Sequence, residues 1–435
     1  MRHQVHIYSE DLLPGSKMFS TPRRVLGALP SKLLSQTMAR LHPSPPSPAA
    51  PVPEALLDVP VCDVSPEDEA AREARAQGLF LARQDRWADL SRALAAADTS
   101  RALTPGGTPL TDHLSYGARS DVVLAAEEAL ADGRGRCKTD RALLDGIMAL
   151  EAMRQDHRHD PYINLVLAQA HIDLGWAWRG AGDPQALPKL SRHRCAAHFD
   201  RAAHLLDPFT EESRTSPALA AARCALLAAR HGRTGDIADA YAALIDLAPG
   251  NARPFRALGL HLLPSRAGSY AELELEARRT AARTHPTWGA GGYAWVCFDA
   301  VVQDPQALAQ VDVEFFIDGL KDIVARHPDQ AMINMLAAYC AITLRRQPGA
   351  AATRDRIAGC ASWLIRDHLT ELHPLIWAHA AEGFDNNAHV SSTRRFAARG
   401  RADGLRAIAD QFRDDLDHGL RITFTPEGPV VARSA

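Results

Sequence analysis

Six prolines set the frame for this chain. Pro161, Pro208, Pro249, Pro286, Pro328 and Pro374 each follow the end of a helical stretch, at intervals of 47, 41, 37, 42 and 46 residues. Proline has no backbone N–H and its ring clashes with the preceding helical turn, so it ends one helix and suits the first turn of the next. A stop recurring at roughly 40 residues predicts helix pairs laid one after another. Alanine dominates the apolar residues and aromatics are only 6% of the chain, a composition that favours closely packed helices. The expected fold class is therefore all-α.

The residues between the prolines carry a resemblance. In the stretch from Ala218 to Asn251, Gly232, Tyr241 and Pro249 fall where a tetratricopeptide repeat of about 34 residues places its glycine, aromatic and terminal proline. Ala252, Phe255, Leu258 and Gly259 resemble the opening of the next repeat. Upstream, Leu174, Gly175, Trp178 and Gly182 match its first-helix spacing, and Phe199, Ala202, Ala203 and Asp207 look like the second helix and exit. Leu320, Ile323, Pro328 and Asp329 form another such exit. The chain thus resembles a divergent tetratricopeptide-repeat (TPR-like) protein over roughly residues 65–385, best at 165–285 and 315–345. Its repeats are longer than the family's, and many signature positions are missing. What the resemblance implies is an α-solenoid of degenerate helix pairs: small residues let paired helices approach, and large ones fill the gaps between pairs.

Outside the repeats the chain changes character. Residues 1–60 predict a disordered basic extension ending in a proline-rich linker, Pro43 to Pro53. Ser65, Pro66, Glu67, Asp68 and Glu69 read as a helix start, with a capping serine, proline at the first helical position and acids in the first turn. Helical hairpins are expected over 61–160, including segments at 119–132 and 139–155, and TPR-like repeats over 161–385. In 386–435, one long helix from Ser392 to His418 leads to β-formers on either side of Pro426, Glu427 and Gly428, a short hairpin or extended tail.

Charge and motif content narrow the function. With 49 basic against 52 acidic residues, no excess exists to neutralise phosphates, so nucleic acid is not the expected partner. No apolar run is long enough to span a bilayer and no secretory leader is visible, so a cytoplasmic location is expected, with the arginine and alanine bias suggesting a bacterial origin. The seven cysteines are scattered without C-x-x-C spacing. The sequence holds no H-E-x-x-H, G-x-S-x-G or P-loop, so no catalytic, cofactor-binding or metal-ligating residue is assigned. Three histidine groups are candidate ligand sets: His193, His198 and His204; His157 and His159 with Asp160; and His368 with His373. The glycines Gly289, Gly291 and Gly292 are expected to serve close helix packing, or else the approach of a ligand.

The resemblance places partner binding on the first helix of each pair, which lines a concave groove. That points to Arg253, Arg256 and Leu260, then to Met332, Met335 and Tyr339, a surface suited to an acidic or carboxylate-ended peptide. The competing expectation pairs the two arginines with acids on a solvated face. The sequence reading is thus an adaptor or scaffold binding a protein or peptide. The alternative is a regulatory or chaperone-like module with a tethered N-terminal segment, and an enzyme or small-ligand sensor comes third.

Overall fold

The computed structural model describes residues 56–133, 141–180, 187–230, 234–266, 268–382 and 392–433. Two-residue β1 (Leu57–Asp58) precedes the helices α1 (Pro66–Arg83), α2 (Trp87–Thr99), α3 (Leu110–Gly133), α4 (Arg141–Arg154), α5 (Pro161–Arg179), α6 (Lys189–Leu206) and α7 (Pro217–Arg230). Then follow α8 (Thr234–Leu247), α9 (Arg253–His261), α10 (Tyr270–Trp288), α11 (Gly291–Gln303), α12 (Pro305–Gln310) and α13 (Val313–Arg326). The last helices are α14 (Gln330–Ala338), α15 (Ala351–Ala358), α16 (Ala361–Trp363), α17 (Pro374–Glu382), α18 (Thr393–Gln411) and α19 (Arg413–Asp417). The chain closes with the strands β2 (Leu420–Thr425) and β3 (Gly428–Arg433). The fold is mostly helical, and no described helix is long and apolar enough to cross a membrane. The expected N-terminal extension lies largely outside the described residues.

Local chemistry sets the element ends. Ser65 caps α1 in a reciprocal box: its Oγ accepts from the Asp68 N–H at 3.2 Å, and Asp68 Oδ2 accepts from the Ser65 N–H at 2.9 Å. Asp160 caps α5 by accepting from Tyr162 and Ile163, with Pro161 at the first helical position. Pro374 also opens a helix, whereas Pro249 and Pro328 sit in the turns after α8 and α13. Pro286 departs from the expected pattern. It lies in the last turn of α10, which runs on to Trp288 and ends at Gly289 with φ +58°. The expected long C-terminal helix breaks at Phe412, which is folded inward beside Phe424 of β2.

The apolar interior forms two clusters that meet at α7. One gathers α1 to α7 around Leu90, Leu94, Ile163 and Leu205. Within it α1, α3 and α5 run side by side in the same direction, since Arg75 meets His113 and Arg83 meets Asp121, while Arg119 meets Asp173. Glycine brings the first two together: a Cβ on Gly78 would lie 2.0 Å from the Leu114 carbonyl oxygen, and one on Gly117 2.0 Å from that of Arg75. The second cluster gathers α8 to α19 and the hairpin around Phe255, Trp295, Phe298, Tyr339 and Trp377. Here α9 and α11 run in opposite directions, with Arg256 against Asp299 and Gly259 against Val296. Gly291 and Gly292 sit against Ile323 of α13 and Ala281 of α10, so this glycine stretch is a close-packing device.

The short first strand has an unexpected place. Although β1 comes before α1, it pairs in parallel with β2, Leu57 opposite Ile422, and so joins the C-terminal hairpin in a three-stranded sheet. Leu57 and Val59 are buried in the second cluster. Just beyond, Val61 bridges Leu372: the Cys62 N–H donates to the Leu372 carbonyl at 2.9 Å, and the Leu372 N–H to that of Pro60 at 2.8 Å. The chain therefore starts on its far unit before crossing back to α1.

Candidate functional site

Of the six residues expected to line a groove, two are buried and four are half-buried. Arg256 is buried and donates to both Asp299 oxygens, at 2.9 and 2.7 Å. Its guanidinium lies over the Phe298 ring, 4.9 Å from the centroid. Tyr339 is fully buried; it stacks on that same ring at 3.8 Å and donates its hydroxyl to the Phe298 carbonyl at 2.7 Å. The fold thus brings Arg256 and Tyr339 together, but around Phe298 and within the core. Arg253 is half-buried and reaches across to Asp112 of α3 at 3.1 Å, tying the two units together. Leu260, Met332 and Met335 are half-buried and pack against the second core. A surface for a peptide is therefore not what Arg256 and Tyr339 provide. Both arginines pair with acids, one of them deep inside rather than on a solvated face. The residues sequence reasoning missed are Asp112, Phe298 and Asp299, none of which carries a local signal of its role.

The histidine groups are rearranged as well. His204 turns to the Asp200 carbonyl of its own helix, and Asp160 is occupied as a cap. His198 leaves its sequence neighbours and meets His171 of α5, Nδ1 to Nδ1 at 2.9 Å. His171 Nε2 lies 3.1 Å from Glu151 of α4, which also accepts two hydrogen bonds of 2.6 Å from Arg201. Burial alone would raise the Glu151 carboxyl, but the bonds from Arg201 and His171 outweigh it and hold it down to about 2. Burial, then the neighbouring His171 and Arg194, push His198 down to about 4. The cluster is a histidine pair wedged beside the Arg201–Glu151 ion pair, an arrangement that fastens α4, α5 and α6 together.

Three donor side chains converge where β1 leads into α1. Cys62, Glu371 and His373 place a sulfur, a carboxylate oxygen and a ring nitrogen within 4.8 Å of one another. His373 does not pair with His368, whose ring packs against Trp363 instead. Its Nε2 lies 2.8 Å from Glu371, while its Nδ1 is buried without a hydrogen-bond partner. One side chain fixes this loop. Asn334, fully buried, accepts from the His373 N–H at 3.0 Å and donates to the Glu371 carbonyl at 2.9 Å. Burial pushes the Cys62 thiol up, and the carboxylates of Glu371, Asp68 and Asp63 push it further.

Comparison with family models, with curated proteins and with solved structures returns no match.

Proposed function

We propose that this protein is a helical-repeat adaptor that binds another protein or a peptide. Supporting this reading is an exposed apolar patch on the first unit. Leu124 of α3 and Leu144 and Met148 of α4 are 38%, 43% and 62% exposed. Leu144 and Met148 each lie two residues from Gly146, which faces Val122 of α3, so they project from α4 on the side away from that contact. Leu144 and Met148 are one helical turn apart and face the same way. An exposed apolar pair on one helix face suits an amphipathic partner helix better than a charged peptide. The parallel course of α1, α3 and α5 supports a TPR-like, solenoid arrangement of helix pairs, from which the opposed α9 and α11 depart. A cytoplasmic, bacterial setting belongs to the same reading.

The test is capture of partners by the full chain, beside a variant carrying Leu144→Asp and Met148→Asp. Both side chains are exposed, so the variant should keep its circular dichroism and melting temperature. A stoichiometric protein retained by the parent and lost by the variant supports the adaptor. Equal retention by both would move the binding surface elsewhere. Recovery of only a small molecule would favour the ligand-sensor reading.

A further inference from the structure

The Cys62, Glu371 and His373 cluster has no part in the adaptor reading, and its chemistry is of another kind. We propose that these three residues form a binding site for a zinc-class divalent cation that clamps the β1 strap to the loop before α17. The donor set is the first argument. Thiolate, imidazole and carboxylate together are the ligands such ions select, and hard cations such as calcium would not choose the sulfur. Three protein donors also leave a fourth position for water.

Geometry is the second argument. A tetrahedral ion with bonds of roughly 2.0–2.3 Å holds its donors about 3.3–3.8 Å apart. The three donor atoms lie within 4.8 Å of one another, at most about 1 Å beyond that spacing. Their backbone is already fixed, through the Pro60, Cys62 and Leu372 hydrogen bonds on one side and Asn334 on the other. Preorganisation of this kind is what a metal site needs from its surroundings.

The third argument is an unmet need. His373 is 4% exposed, and its Nδ1 has no hydrogen-bond partner although buried nitrogens rarely go without. The charges acting on Cys62 are those of Glu371, Asp68 and Asp63, all carboxylates. Carboxylates gathered beside the three donors favour a divalent cation there. Binding exchanges one proton, that of the Cys62 thiol, for the ion; the imidazole stays neutral and keeps its own proton on the nitrogen that does not ligate.

Cobalt(II) is the probe, added to the full chain under a non-thiol reductant. A ligating thiolate gives a charge-transfer band in the near ultraviolet. The expected result is saturation at one equivalent, with the band abolished in Cys62→Ser and retained in Cys195→Ser. Glu371→Gln should weaken binding by at least about tenfold, and zinc should displace the cobalt. Absence of the band at several equivalents overturns the site, as does a band that survives Cys62→Ser. Cys62 is half-exposed, so its serine variant tests the metal and not the fold.

Discussion

Arg256 grips Asp299 with two hydrogen bonds in an interior where the two side chains are only 9% and 10% exposed. The pair joins α9 to α11, and the Phe298 ring beneath the guanidinium carries Tyr339 in turn. A buried pair of this kind contributes little beyond well-packed apolar residues, yet removing one partner strands a charge. Asp299→Ala should therefore cost about 3–5 kcal/mol, seen as a lower denaturant midpoint. The double variant Arg256→Met with Asp299→Leu should recover most of that loss. Equal losses in single and double variants would show that the pair itself stabilises the core.

Gly259 offers a sharper contrast. A Cβ there would stand 1.8 Å from the Val296 carbonyl oxygen, backbone that cannot rotate away, whereas one on Gly235 meets nothing within 4 Å. Gly259→Ala should lower stability by about 1–3 kcal/mol or more through forced separation of α9 and α11. Gly235→Ala should leave the melting temperature unchanged or slightly raised.

His198 predicts the acid side of the stability profile. Its folded pKa, about 4, lies below the roughly 6.5 of an unfolded histidine, so protonation favours the unfolded chain. Its contribution is complete above about pH 6.5 and is lost as pH falls towards about 4. His113 and His261, both pushed down to about 3 by burial first and by nearby arginines second, act in the same direction. Glu151, held at about 2, stays ionised across that window. Stability should drop between pH 7 and pH 5, and the drop should shrink in His198→Gln. An unchanged drop in that variant would assign it to the other two histidines.

Much of this was legible, for physical reasons that can be named. Ser65 and Pro66 marked the start of α1 because capping is a contact between residues three apart. Pro426, Glu427 and Gly428 marked the hairpin because the turn chemistry is local too. Pro286 misled, since proline near a helix end is compatible with one more turn, which Gly289 then closes. The opening of α3 at Leu110 was hidden by Ser115 and Gly117, which have modest intrinsic helix preference but are needed where α1 and α5 approach. The partners of Arg253 and Arg256 were invisible for a different reason. A charged residue on a helix shows its spacing in the sequence, but not whether an acid 43 or 141 residues away will bury it. Cys62 and His373 share the same difficulty over a greater distance.

The strap yields a prediction by truncation. Removing residues 1–55 leaves β1 and both buried anchors in place, and should leave the melting temperature unchanged. Removing 1–63 strips Leu57 and Val59 from the second core and unpairs one edge of β2. At about 1.5–3 kcal/mol for each buried aliphatic side chain, that loss should appear as a melting point lowered by several degrees. Equal melting of the two forms would mean that the strap rests on the second unit without supporting it.

The same strap has a consequence for the order of events during synthesis. Arg421 and Asp58 meet across 363 residues of chain, so the segment that leaves the ribosome before α1 has to wait for β2 to emerge. The helices of the first unit make mainly near-neighbour contacts and can assemble while translation continues. Throughout that interval Leu57 and Val59 lack the second-cluster residues that bury them in the folded chain. Emergence of β2 is then the event that lets β1 close onto the second unit.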